Sequence, residues 1–557
     1  MSSTKFINSK ELVVNEALDG LVMVNSDKLV RIEGTQIIKL KNPNQNQVSL
    51  ICGGGSGHEP AHAGYVDPNI LTAAVCGGVF ASPSHKEVLT AILNVPNQQG
   101  VLLIIKNYTG DIINFELAAS LARTRGVQVE TIVVGEDAAF TENKRGLAGT
   151  VLLYKMLGAA ANQGMNLQQL KEIGTQIISN MQTLGVSLSS CALPGNDPTF
   201  SLAQDEMELG LGIHGEKGRK RDKIATAQHI IKEMLDIIQI KENTQVVALF
   251  NNLGSCTDLE MNILAREVLL QLNKKNIHVI RAVEGRLMTS LEMHGFSLTL
   301  LPVFDQYVLQ LVDAPTQNRY WNLQSNIQID VNHEKVPEIG LQFAKDKNYD
   351  SYLHQVLKKV FNTLIEKTHY FNELDAEVGD GDTGEGFERS SKACLAILHN
   401  LDLEHNLVES LTILGDEIAS NFGGTSGPLY GVMLSTGARF LKKELSENTL
   451  KDLQQALQQG QQQIQHVGKS QVGDRTMVDV LVPLSKALED IANQTDQQNK
   501  KEIAYKLIQV VKEASQKTSQ LKAKKGRSRY LDGREIGKLD PGCEVIVAWL
   551  TILVENI

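Results

Sequence analysis

The spacing of apolar residues changes character once along this chain of 557 residues, and that change limits the folds open to it. Over residues 1–330, short runs rich in valine and isoleucine alternate with longer amphipathic stretches. VSLIC (Val48 to Cys52), VLLIIK (Val101 to Lys106), VETIVVG (Val129 to Gly135) and VVALF (Val246 to Phe250) are examples, bounded by Gly, Asn or Asp. This is the rhythm of βαβ units around a mainly parallel sheet. From Tyr352 the rhythm is different. Leu353, Val356, Leu357, Val360, Phe361, Leu364 and Ile365 follow the i, i+3, i+4, i+7 spacing of an amphipathic helix. The same period returns around Leu407 to Ile418, Leu450 to Ile464, Val478 to Ala492 and Glu502 to Ala514. The expectation is an α/β domain over 1–330, a polar linker over 331–350 and an all-helical domain over 351–557. A glutamine-rich stretch near 454–465 reads as a solvated helix face.

Composition excludes some classes of function. At 42% hydrophobic and 21% charged, the chain is of the soluble globular kind. Its net charge of −10 argues against a general nucleic-acid binder. The six cysteines are scattered with no C-x-x-C pair, which is poor material for a disulfide framework and suits a reducing cytoplasm. No signal peptide is visible, and the apolar run from Val545 to Val554 is too short to span a bilayer.

In the helical part, Asp375, Asp380 and Asp382 fall in LDAEVGDGDTGEG, directly after a helical stretch. Converging carboxylates repel unless a cation neutralises them, and Gly379 and Gly381 permit the tight backbone that convergence needs. Hard oxygens suit Mg²⁺, which takes a few carboxylates together with phosphate oxygens and water. A calcium hand fails on register, since a loop begun at Asp380 puts Glu385 at the required glycine and Ser391 at the bidentate glutamate. Asp-Gly pairs alone are common in turns. The third aspartate and the following T-G-E-G move the reading to metal. NFGGTSG (Asn421 to Gly427) lies between two helical patterns, where amides and a helix dipole make an anion site. GDRTM (Gly473 to Met477) and DPG (Asp540 to Gly542) are further candidates for a nucleotide pocket, although an Asp-Pro-Gly by itself is only a turn.

In the α/β part, CGGGSGHEP (Cys52 to Pro60) sets His58 behind three glycines and Ser56 just after a strand. It lacks the last glycine of a dinucleotide fingerprint and reads as a loop for a small ligand. KNYTGD (Lys106 to Asp111) ends an apolar strand and puts Asp111 at the sheet's edge as a candidate base. ELGLGIHGEKG holds His214 in a segment too glycine-rich for a helix interior. A lone histidine is more often structural than catalytic, and this chain has 13.

Taken in order, GGGSGHEPAHAGY, TAAVCGGVFASPS, KNYTGD, ELGLGIHGE, LDAEVGDGDTGEGF, GGTSG, GDRTM and GRSRYLDGREIGKLDPG resemble the dihydroxyacetone kinase family in its single-chain form, over essentially the whole chain. The resemblance implies two α/β subdomains followed by a barrel of antiparallel helices. It implies ATP-dependent phosphorylation of dihydroxyacetone, and of glyceraldehyde, with the ketose held as a hemiaminal on His214. Asp111 is then the general base and His58 assists near the carbonyl-derived oxygen. Gly55, Ser56, Gly57 and Lys106 match the other substrate contacts. Asp375, Asp380 and Asp382 match the metal ligands, holding two Mg²⁺ per nucleotide. Thr383, Gly384, Glu385, Gly386, Thr425, Ser426, Gly468, Thr476, Met477, Arg527, Asp540, Pro541 and Gly542 match nucleotide contacts. A cytoplasmic homodimer with neither nucleic-acid nor membrane partners completes the expectation. Two alternatives stay open within it, namely additional FAD-AMP lyase activity giving cyclic FMN, and a phosphoprotein in place of ATP as donor.

Overall fold

The computed structural model describes residues 5–198, 200–331, 333–335, 347–494 and 499–556. The chain divides into two compact units, Met1–His333 and Glu334–Ile557. Residues 332 and 336–346 of the expected 331–350 linker lie outside the described residues.

The first sheet comprises β1 (Leu29–Arg31), β2 (Ile37–Leu40), β3 (Ser49–Ser56), β4 (Ala73–Val79), β5 (Val101–Lys106) and β6 (Val129–Val134), in the order β1-β2-β4-β3-β5-β6. Strands β4, β3, β5 and β6 pair in parallel, and β2 and β1 add an antiparallel edge. The unbroken apolar run of β5 follows from burial on both faces. Leu102 and Ile104 enter one core, while Val101, Leu103 and Ile105 enter the other. The helices of this unit are α1 (Val13–Val24), α2 (His85–Leu93), α3 (Thr109–Arg123), α4 (Gly149–Asn162), α5 (Leu167–Asn180), α6 (Ala227–Ile237), α7 (Asp258–Lys274) and α8 (Gln306–Asp313). Helices α2 and α3 cover the second of these cores, α4 and α5 the first.

The second sheet corrects the expectation of mainly parallel pairing. It comprises β7 (Gln182–Ser187), β8 (Glu206–Leu209), β9 (Lys220–Lys223), β10 (Gln245–Asn252), β11 (His278–Gly285), β12 (Gly295–Pro302) and β13 (Leu323–Gln324), in the order β13-β11-β10-β12-β7-β8-β9. Among the described residues only β10 and β11 pair in parallel in this sheet; the other strand pairs are antiparallel. A parallel crossover takes a dozen or more residues, and the connection over 286–294 is shorter than that. Burial on both faces makes a strand apolar whichever way it runs, so composition carries no direction.

The second unit holds α9 (Tyr352–Glu366), α10 (Thr368–Ala376), α11 (Thr383–Leu398), α12 (Leu407–Asn421), α13 (Ser426–Ala438), α14 (Leu450–Gly468), α15 (Val478–Ala492), α16 (Lys500–Thr518) and α17 (Pro541–Glu555). From α11 onward each helix packs on the next in sequence, and α9 packs on both α11 and α17, closing a ring. Val360, Leu364, Phe387, Ile464, Val480, Leu484, Val511 and Ile546 meet in its core. Among the described residues of this unit there is no strand. The α/β architecture followed by an all-helical unit is therefore as expected. The glutamine-rich stretch differs from expectation, because Gln461 is buried and bonded to Gln465 within α14. Among the described residues no helix is long and apolar enough to cross a membrane.

Candidate active site

At the carboxyl ends of β3 and β5 the first unit gathers its predicted residues. The glycine run of β3 brings Ser56 and His58 beside Phe80, with the Ser56 hydroxyl donating to the Gly77 carbonyl at 2.7 Å. Gly54 has φ +147°, and a Cβ there would lie 2.3 Å from Lys106 Nζ and 3.2 Å from Asp111 Oδ2. Close approach, not only turn geometry, thus demands glycine at this position. Lys106 is fully buried at the end of β5. Its Nζ donates to the Gly53 carbonyl at 3.1 Å and to His62 Nε2 at 2.9 Å, and lies 3.5 Å from Asp111 Oδ2. Asp111 is buried in the first turn of α3, at the carboxyl end of a central strand and not at a lateral edge of the sheet.

His58 and His214 come from separate segments, and their ring centroids stand 4.9 Å apart, edge to face. His58 is fully buried, and its Nδ1 lies 2.8 Å from the Thr289 carbonyl oxygen. A carbonyl only accepts, so the proton is on Nδ1. Burial, with the charges of His214 and Lys106 behind it, holds His58 well below the ordinary imidazole range. The ring is therefore neutral, and Nε2 is a buried acceptor without a protein partner. His214 sits on the loop after β8. Its Nδ1 is 2.7 Å from Glu216 Oε1, and its backbone N–H donates to Glu216 Oε2 at 2.9 Å. Burial pushes the Glu216 carboxyl up, but the hydrogen bond and charge of His214 outweigh it and hold the group below its usual value. Glu216 is thus an ionised acceptor. The His214 Nδ1–H donates to that carboxylate, so Nε2 is the ring nitrogen not engaged by Glu216. The rings of Phe80 and Tyr108 flank His214 with centroids 5.1 and 4.8 Å away.

Glu216, Thr289, Phe80 and Tyr108 were not singled out in the sequence. Glu216 lies two residues past His214, and that H-x-E spacing could have marked it. Thr289 lies 231 residues from His58 and left no local signal.

In the helical unit the starts of α11, α13, α15 and α17 are tied together: Phe422, shortly before α13, packs on Gly386 and Phe387 in α11, the Cys543 thiol in α17 donates to the Thr476 carbonyl before α15, and Ser528, before α17, donates to the Val378 carbonyl before α11. Four positive helix ends therefore lie together at one end of the ring. Asp375, Asp380 and Asp382 converge there with carboxylate atoms within 4.8 Å of one another. Asp375 Oδ2 accepts N–H bonds from Gly381, Asp382 and Thr383 at 3.0, 3.1 and 3.3 Å, so Oδ1 is the oxygen left for a cation. A Cβ on Gly379 would come within 2.4 Å of that Oδ1. Asp375 is buried, and Asp380 and Asp382 are exposed. Hard oxygens on a backbone-fixed loop, open to solvent, fit Mg²⁺ and its retained waters.

Thr383, Gly384, Glu385 and Gly386 form the first turn of α11. Gly384 and Gly386 also serve packing, since Cβ atoms there would meet the Thr368 carbonyl and the Phe422 ring. Thr425 and Ser426 open α13, and Gly468 closes α14. The Thr476 N–H donates to Asp479 Oδ2 at 2.8 Å, and Met477 is buried just before α15. Asp540 caps α17 by accepting from the Cys543 N–H at 3.0 Å, followed by Pro541 and Gly542, and the Cys543 thiol donates to the Thr476 carbonyl. Arg527 opens the turn Arg527–Tyr530, its side chain lying outside the described residues. Ser528 in that turn donates to the Val378 carbonyl at 3.0 Å, tying it to the aspartate loop. Arg475, also not singled out, is buried at this end. Nη2 donates to the Lys538 and Leu539 carbonyls at 3.1 and 3.2 Å, while Nε and Nη1 have no protein partner. A buried cation with two idle donors beside positive helix ends suits an anion.

Comparison with known proteins agrees with this division. The model of the Dak1 domain matches residues 19–320 and that of the DAK2 domain residues 377–555. The chain is 36% identical over 578 residues to triokinase/FMN cyclase of Homo sapiens, covering 100% of this chain and 99% of that protein. It is 33% identical over 562 residues to dihydroxyacetone kinase of Citrobacter freundii, covering 99% of each. The crystal structure of the dihydroxyacetone kinase from C. freundii in complex with AMP-PNP and Mg²⁺ superposes with a TM-score of 0.67, at 31% identity and 100% coverage of both chains.

Proposed function

This chain belongs to the dihydroxyacetone kinase family, with the family's two domains in one chain, and on that premise we propose that it phosphorylates dihydroxyacetone from ATP while holding the ketose on His214. The imidazole pair carries the reading, with each Nδ1 engaged, by the Thr289 carbonyl at His58 and by the Glu216 carboxylate at His214, and both Nε2 atoms left for a ligand.

His214 Nε2 adds to the carbonyl carbon, and the C=O π electrons move to oxygen. The Nδ1 proton, held by Glu216, offsets the charge that forms and is passed on as the oxygen is protonated, leaving a neutral hemiaminal. His58 Nε2 accepts a hydrogen bond from the hydroxyl so formed. Asp111, steadied by Lys106, takes the proton of the terminal hydroxyl as that oxygen attacks the γ-phosphorus of ATP and ADP leaves. Glycerol offers no electrophilic carbon to His214, whereas glyceraldehyde does. The helix ends, the glycine-loop amides, Arg475 and the matched positions from Thr383 to Gly542 hold the triphosphate. Asp375, Asp380 and Asp382 would hold two Mg²⁺ per nucleotide, which would supply positive charge against the transferring phosphoryl group.

A cytoplasmic homodimer completes the reading. All six cysteines are free, as a reducing compartment would leave them. Sedimentation of the full chain checks the dimer. The test of the function is a coupled ATPase assay with purified chain alone. Turnover is expected with dihydroxyacetone and glyceraldehyde and not with glycerol; turnover only when a phosphoprotein is added would overturn the ATP reading. The relatives named triokinase/FMN cyclase favour one second reading, FAD-AMP lyase activity in the same nucleotide unit. Cyclic FMN and AMP released from FAD with Mn²⁺ would establish it.

A further inference from the structure

Behind the ketose pocket, on the far side of the segment that supplies Thr289, three side chains of different donor type converge. Cys256 ends the loop after β10, Glu260 lies in the first turn of α7, and His294 immediately precedes β12. One ligand atom of each falls within 4.8 Å of the others. The His294 Nε2 contact with Glu260 Oε1, at 2.8 Å, is accounted for as an ordinary hydrogen bond. The thiol in the same cluster is not part of that bond, and each of the three donors is fixed by its own support. The Cys256 N–H donates to Asn252 Oδ1 at 3.2 Å, and its thiol donates to the Gly295 carbonyl at 3.1 Å. Glu260 Oε2 is occupied by the Thr257 N–H and hydroxyl at 2.7 and 2.9 Å, which turns Oε1 toward the cluster. The His294 N–H donates to Ser189 Oγ at 2.9 Å. Cys256 closes the buried side, while the His294 and Glu260 side chains are 34% and 35% exposed and leave a way in from solvent.

We infer that Cys256, Glu260 and His294 form a binding site for a zinc-class divalent cation, with water in the fourth position. One sulfur, one imidazole nitrogen and one carboxylate oxygen is a donor set that Mg²⁺ refuses and Zn²⁺ accepts. Zinc bonds of ~2.0–2.3 Å place donors roughly 3.3–3.8 Å apart, so the cluster closes on the ion with side-chain movement of about an ångström. On binding, the Cys256 thiol releases its proton to solvent as the sulfur–metal bond forms. His294 carries its proton on Nδ1 and ligates through Nε2, and Glu260 ligates through Oε1 while Thr257 keeps Oε2 in place. The ion would join the loop after β10 to the segment Thr289–His294, whose first residue orients His58.

The test uses the full chain, stripped by chelator and held in excess Mg²⁺ to fill the aspartate loop, then titrated with Co²⁺. The expected result is a near-ultraviolet thiolate-to-cobalt band that saturates at about one ion per chain and is displaced by Zn²⁺. Cys256→Ser removes the band and Cys394→Ser keeps it. Oxygen ligation at the aspartates gives no such band, so the two sites are told apart, and the readout does not depend on kinase turnover. Should Cys256→Ser not fold, His294→Ala decides, with an affinity loss of at least about tenfold expected. Absence of the band at one equivalent, its survival in Cys256→Ser, or unchanged affinity in His294→Ala overturns the proposal.

Discussion

In the ketose pocket, Lys106 and His58 are fully buried, and two imidazoles are oriented through their Nδ1 atoms by a carbonyl and a carboxylate. At the nucleotide end of the helical ring, Asp380 and Asp382 face solvent, and the loop between them is shaped by backbone amides on Asp375. On the function proposed, the difference follows from what each would hold. A neutral carbonyl gives little electrostatic handle, so its capture depends on a dry, aimed lone pair. A triphosphate carries its own charge, so its site needs opposite charge and room for a hydrated cation more than burial.

The sharpest way to break this contrast is to remove the central group on each side. His214→Ala is expected to abolish the covalent adduct, read as loss of the mass shift on intact protein, and to lower kcat/KM by more than ~10³-fold. Asp380→Ala should cut ATP-dependent turnover by roughly 10³-fold while the adduct still forms. If His214→Ala removed nucleotide binding as well, the two regions would not be separable in this way. Asp111→Asn comes next, with kcat lowered ~10²–10⁴-fold and the adduct intact. Glu216→Gln exchanges a charge-assisted hydrogen bond for a neutral one and should weaken the adduct about 10–100-fold, on the scale of 1.5–3 kcal/mol, with nucleotide affinity unchanged.

The smallest effect concerns acid stability. Burial keeps His58 and His62 neutral in the fold well below their ordinary 6.5, so below that pH the unfolded chain binds two protons that the native pocket refuses. Each such group costs about 1.4 kcal/mol per pH unit as the pH falls. Glu136 works in the opposite sense, because burial pushes it from 4.5 to about 7 and the native state takes up a proton there first. Glu59, Asp137 and Glu284 are pushed up by burial as well, so the histidine share is isolated by His58→Gln, which should flatten the acid dependence of stability between pH 6.5 and 5 by up to about 1.4 kcal/mol per pH unit. The two tryptophans separate the regions, since Trp321 lies in the first unit and Trp549 in the second. Trp549→Phe therefore leaves a reporter of the ketose unit alone, in which the denaturation midpoint should fall less with acid once His58 is replaced.

The contrast also explains what could be read from sequence. The helices from α9 to α17 were legible because each buries one stripe, and a stripe leaves a period. The aspartate loop was legible because all its ligands lie within eight residues. Strand direction in the second sheet was not, since Val246–Phe250 and Phe296–Leu301 are buried on both faces and nothing local records which neighbour each will find. The ketose pocket was legible only in parts. Its motifs named His58, Asp111 and His214, but the groups that fix their tautomers include Thr289, whose link to His58 exists only in three dimensions. Gly384 and Gly386 show a further ambiguity, as a glycine that admits a phosphate and one that admits the Phe422 ring look alike in a string of letters.

The ring of helices closes by seating α17 against α9, and Lys359 on α9 reaches Asn556 just past the end of α17. The module's entry and exit points are consequently neighbours. A circular permutant that bridges them with a short linker and opens a new pair of termini between α11 and α12, away from the aspartate loop, would keep every helix–helix seam intact. An element wired in this manner can be spliced beside a different partner without being rethreaded, which makes it portable as a cassette.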